Sequence, residues 1–112
     1  MFGKVDTRLG QEFGLTGRYA DLPAFQIVND AHDLVAGLTS RIITLEYGGE
    51  GHLYVDAPSW KGLEEQRAQF VQRVNGLGGD AVKAAELCDE VEAFIAEILE
   101  PFVAACEGLQ HE

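Results

Sequence analysis

The sequence predicts a mainly α-helical fold, a small bundle of three amphipathic helices spanning about 21–38 or 21–47, 59–77 and 80–107. Three observations lead there. Apolar residues recur at spacings of three and four in three separate stretches, which lays them along one side of a helix each time. Glycine-rich breaks, "GGEG" and "NGLGGD", separate the stretches. Three such stripes bury best against one another.

Residues 1–20 precede the first stripe and read as an irregular arm, punctuated by Gly3, Gly10, Gly14 and Gly17 without a clean period. The first helix opens at "DLPAF", where Asp21 is placed to cap and Pro23 is tolerated in the first turn because its missing N–H would have had no partner. Ile27, Val28, Ala31, Leu34, Val35 and Leu38 follow on an arc of about 120°. Ile42 and Leu45 continue that arc, which carries the helix to Tyr47 and the Gly48–Gly49 break. A competing reading ends the helix at Leu38 and folds 42–56, "RIITLEY" and "HLYVDA" around a glycine loop, into a short β-hairpin. Periodicity leaves both readings open.

Ser59 is placed to cap the second helix, whose stripe is Trp60, Leu63, Phe70, Val71, Val74 and Leu77. Asp80 caps the third and longest helix, with Ala84, Leu87, Cys88, Val91, Phe94, Ile95, Ile98 and Phe102 on its apolar side. Pro101 removes one backbone hydrogen bond and should kink it, and Gly108 should end it.

With 112 residues the chain reads as a single domain, 1–112, long enough to bury a core of its own. Apolar residues make up 46% and charged residues 24%, ordinary values for a globular protein. The charge is not ordinary: eight Lys and Arg against 19 Asp and Glu give −11. Such a field repels phosphate backbones and anionic lipid, so neither nucleic acid nor a membrane surface is an expected direct partner. The start lacks the apolar run of a secretion leader, and no stretch is as apolar as a membrane span. The expected location is the cytoplasm.

Cys88 and Cys106 both fall in the third stripe. One helix joining them would hold them roughly 27 Å apart, beyond disulfide reach, so they read as reduced core residues. His32, His52 and His111 form no metal-ligand spacing, and Ser40 and Ser59, the only serines, sit in no nucleophile pattern. "GLGGDA", residues 76–81, matches the glycine spacing of a dinucleotide loop, but a helical segment precedes it, and Asp80 would set negative charge where phosphate belongs. No catalytic, cofactor-binding or metal-ligating residue is assigned.

The third helix carries the clearest feature outside the core. After Lys83 the chain has no Lys or Arg. Glu86, Asp89, Glu90, Glu97 and Glu100 fall within an arc of about 100° opposite the apolar stripe. Like charges at these spacings repel by a few tenths of a kcal/mol each, and acidic residues near a helix C-terminus oppose its dipole. A ridge kept despite this repulsion points to a partner with a basic surface. The expected function is therefore a non-enzymatic, acidic helical protein-binding module, a bacterial or phage regulator or inhibitor that engages a host protein by nucleic-acid-like charge.

"SWKGL", residues 59–63, contains the chain's single tryptophan, Trp60, two residues before Gly62. Read as a residue, Trp60 is a core anchor, since its ring buries a large area. Trp-x-Gly together with the chain length also resembles the WxG family exported by type VII secretion. That resemblance implies a motif at the bend of a helical hairpin and a structural, dimeric role, so a homodimer is the alternative expectation. The family's C-terminal Tyr-x-x-x-Asp/Glu pattern is absent from the ending "FVAACEGLQHE".

Overall fold

A computed structural model describes residues 5–110; Met1–Lys4, His111 and Glu112 lie outside them, and with them the start of the arm and one of the three histidines. The described chain folds into α1 (Ala24–Tyr47), the short α2 (Gly51–Val55), α3 (Trp60–Asn75), α4 (Ala81–Phe94) and α5 (Glu100–Gln110). A single π-helical turn, Ile95–Leu99, joins α4 to α5, so 81–110 is one continuous rod.

The arm is held by two 3-10 turns, Gly10–Phe13 and Gly17–Tyr19. Gly10 is needed there, because a Cβ would sit 1.9 Å from the Tyr19 carbonyl oxygen. The arm also does the capping expected of Asp21. Pro23 is the N-cap of α1, and the N–H groups of Ala24 and Phe25 donate to the carbonyls of Arg8 (2.7 Å) and Asp6 (3.0 Å). Backbone from outside the helix thus satisfies donors left free at its start.

No hairpin forms at 42–56. Ile42 and Leu45 are buried on the same stripe as Ile27, Ala31, Val35 and Leu38, so burial of that helical face outweighs the β preference of "RIITLEY". Gly48 N–H closes α1 onto the Thr44 carbonyl at 2.9 Å. Gly51 then lies so close to the end of α1 that a Cβ would meet the Glu46 carbonyl oxygen at 2.1 Å, which explains the glycine-rich break. Among the described residues the one β-type pairing is an isolated bridge between Leu9 and Pro23.

Ser59 precedes α3, but its hydroxyl makes no capping bond; the Asp80 carboxylate does cap α4, accepting from the Lys83 N–H at 3.1 Å. Arg41 of α1 lies by Glu100, and Phe25 and Val28 share a recess with Gly78 and Gly79, so α1 runs parallel to the rod. On α3, Arg73 lies by Glu90 and Trp60 by Phe102, so α3 runs antiparallel to it. Ala24 and Ala31 on α1, with Ala81, Ala84 and Ala85 on α4, are all buried and let the helices approach closely. The molecule measures 53 × 32 × 19 Å, a slab about two helix diameters thick.

Pro101 acts on the turn before it. A proline has no N–H for the carbonyl four residues back and crowds it. Here the preceding turn widens: Glu100 N–H donates to the Ile95 carbonyl, five residues back. One extra residue per turn rotates everything after it. Ile98, expected in the core, is 51% exposed, and Leu99 is fully buried in its place, followed by Val103 and Cys106. The helix also continues through Gly108 to Gln110.

Candidate functional site

An open groove of about 650 Å³ runs between α1 and the rod. Its α1 wall is Leu34, Gly37, Leu38 and Arg41, spaced at three, four and seven, so they share one side of the helix. The opposite wall is Ile95 and Leu99 with Glu92 and Glu100. Glu92 and Glu100 are eight residues apart, and the π turn brings them to one side of the rod. Without it Glu100 would stand with the ridge.

Each end of the groove is closed by an arginine. At one end the Arg18 guanidinium grips the Glu92 carboxylate with both terminal nitrogens, reaches the Tyr19 hydroxyl at 2.5 Å and lies 4.7 Å from the centre of the Tyr19 ring. The Tyr19 hydroxyl donates in turn to Asp89 at 2.7 Å. The hydrogen bond to Glu92, then the one to Tyr19, hold the Arg18 guanidinium above its usual range. Burial lifts the Tyr19 hydroxyl above its own, against the Arg18 hydrogen bond. At the other end Arg41 donates to Glu100 at 3.2 Å. Asp30 and Asp33 stand on the α1 rim; Asp30 accepts from the Gln26 amide at 2.8 Å, and Asp33 forms no ion pair among the described residues.

The five ridge residues are exposed, but they do not form one uninterrupted face. Glu90 is bound by both terminal nitrogens of Arg73 from α3, and Glu86 lies within that arginine's field. Asp89 belongs to the Tyr19–Arg18 end of the groove and Glu100 to the Arg41 end. Glu97 sits in the π turn and forms no ion pair among the described residues. Along its own helix the ridge has one basic neighbour, Lys83, a turn before Glu86, and in space three arginines from the arm, α1 and α3 stand beside it.

Comparison with family models, with curated proteins and with solved structures finds no match.

The groove lining contains no Ser, Cys or His, and its guanidinium groups are engaged by carboxylates. It has an apolar floor with charged ends. Cys88 lies outside it, buried, with its thiol pushed up to about 11 by burial. Among the described residues no three His, Cys, Asp or Glu side chains cluster as metal ligands, and no helix is long and apolar enough to cross a membrane. Trp60 is buried, with Phe102 at 6.2 Å between ring centres, and Phe102 also meets Tyr54 at 6.3 Å. This aromatic cluster ties α2, α3 and α5 together. Sequence reasoning missed Arg18, Tyr19, Gly37, Arg41 and Glu92 as a group. The one local sign was a glycine far inside a strongly periodic helix.

Proposed function

We propose that the chain is a non-enzymatic acidic protein-binding module, a bacterial or phage regulator or inhibitor whose partner presents a basic surface. One observation carries this reading. Each of the five arginines is ion-paired to a carboxylate of the same chain: Arg8 to Asp6, Arg18 to Glu92, Arg41 to Glu100, Arg67 to Glu64 and Arg73 to Glu90. Lys61 and Lys83 are the described cations outside such pairs. Among the described residues an approaching macromolecule therefore meets surplus carboxylate and two cations outside such pairs, which favours a basic protein and opposes a phosphate backbone. The cytoplasm is the compartment that fits this reading.

The test is capture on the immobilised chain at low and high ionic strength. A basic protein retained at low salt and released at high salt supports the reading, since rim charges act over about a Debye length. Retention that ignores salt, or direct retention of DNA, overturns it. A second reading, a structural helical-hairpin homodimer, is favoured by Ile43 and Tyr47, exposed one turn apart on α1. A mass that falls on dilution distinguishes it.

A further inference from the structure

We infer that the groove between α1 and the rod is the docking site for a basic amphipathic helix of about three turns, whose backbone passes closest over Gly37. This rests on the protein-binding reading above and names its site. From Asp30 to Arg41 is a rise of eleven residue steps along α1, or about 16 Å, three turns of a facing helix. Half-buried Leu34 and Ile95, with Leu38 and Leu99 buried beneath them, form an apolar floor on which the apolar stripe of a helix can rest.

Gly37 gives the α1 wall of the groove its lowest point. It lies more than two turns from either end of α1, where glycine is less favourable than alanine. Among the described residues nothing requires it: its φ is not positive, and an added Cβ would find no atom within 4 Å. A glycine with open space above it lets an incoming backbone come close.

Charge selects the occupant. The groove is lined by four carboxylates, Asp30, Asp33, Glu92 and Glu100, against two guanidiniums. Arg18 and Arg41 are spent on Glu92 and Glu100, which leaves Asp30 and Asp33 beside the apolar floor. A second copy of this chain would bring another −11 to the same place, so a cationic helix is the complementary guest.

The experiment titrates the isotope-labelled full chain with a synthetic helical peptide of about fourteen residues, leucine on one stripe and lysine elsewhere. The control is a peptide of the same composition, scrambled to have no stripe. The inference expects amide shifts concentrated in 30–41 and 92–100. It expects Gly37→Leu to weaken binding about tenfold or more by filling the groove, while the helix melts no lower. Asp33→Lys should weaken it several-fold, and Glu65→Lys, exposed on α3, should leave it unchanged. If the scrambled peptide binds as tightly, with shifts spread along the rod and Gly37→Leu without effect, the groove is not the site, although the acidic-module reading survives. If neither peptide binds, both fall. Should Gly37→Leu fail to fold, Asp33→Lys and the shift map decide alone.

Discussion

Arg41 and Glu100 are ion-paired at 3.2 Å across the far end of the groove, joining the last third of α1 to the first residue of α5. Glu100 reaches that position because the π turn has added a residue to the rod before it. Val91 and Leu99, eight apart, share the buried side for the same reason. The turn, the ion pair and the core register are therefore one feature.

Removing that extra residue should be tolerated. Deletion of Ala96, exposed in the π turn, together with Pro101→Ala, lets an ordinary α-helical ladder run through and leaves Val91 and Leu99 seven apart. Thermal denaturation should show a midpoint no lower than that of the parent. Deletion of Glu86, within regular α4, should instead cost about 3 kcal/mol or more by turning Ala81, Ala84 and Ala85 out of the core. Equal damage from both deletions would count against this account of the register.

Trp60→Ala should destabilise by about 3–5 kcal/mol, because its ring is buried against Phe102. In the parent, emission should be blue-shifted and protected from quencher. Phe102→Ala should shift that emission to the red, since it removes the nearest ring, and the double variant should lose less than the sum of the two. A solvent-like spectrum in the parent would refute the anchor role.

Both cysteines should react slowly with thiol reagents in the folded chain and quickly after denaturation. Burial raises both thiols, Cys88 to about 11. A raised thiol stabilises the fold while the unfolded chain's thiols stay protonated, and that contribution is lost as pH rises past them. Labelling of Cys88 at neutral pH as fast as in the unfolded chain would contradict the packing of α4 on α1.

The Arg73 hydrogen bonds hold Glu90 below the usual glutamate range. Its midpoint, followed by NMR, should lie below that of an unpaired glutamate and rise in Arg73→Gln. A depressed carboxyl stabilises above its unfolded value, so the pair's contribution is present at neutral pH and is lost as acid titrates Glu90. An unchanged Glu90 midpoint in the variant would show that the pair does not form in solution.

Neutralising the ridge should have opposite effects by position. Glu97→Gln, which frees no arginine, should leave stability unchanged or raise it by a few tenths of a kcal/mol. Glu90→Gln and Glu100→Gln each strand a guanidinium and should lower it, by at most about 1 kcal/mol for such exposed pairs. Chemical denaturation of the three single variants checks the order.

The helices were legible because their cause is local. The stripe from Ile27 to Leu45, the Asp80 cap and the buried Trp60 all follow from residues a few positions apart. The choice between helix and hairpin at 42–56 was not, since it turned on whether Ile42 and Leu45 had a helical face to bury against. The ridge residues are exposed, but the π turn, which an ideal helical wheel does not contain, moves Glu100 to the groove, and the arginines beside the ridge come from far along the chain. Arg18 meets Glu92 across 74 positions, Arg41 meets Glu100 across 59 and Arg73 meets Glu90 across 17, and no period records such pairs. The move from Ile98 to Leu99 escaped because a proline predicts a disturbance without saying whether the ladder breaks or widens.

The arm ties two distant responsibilities to one short length of backbone. The carbonyls of Asp6 and Arg8 fasten the leading turn of α1, and a few residues on, Arg18 and Tyr19 form the end wall of the groove. Peeling that segment away, by a protease or by mechanical pull, would fray a helix and unlatch a wall in the same event. The groove's shape is therefore only as durable as the seating of the arm.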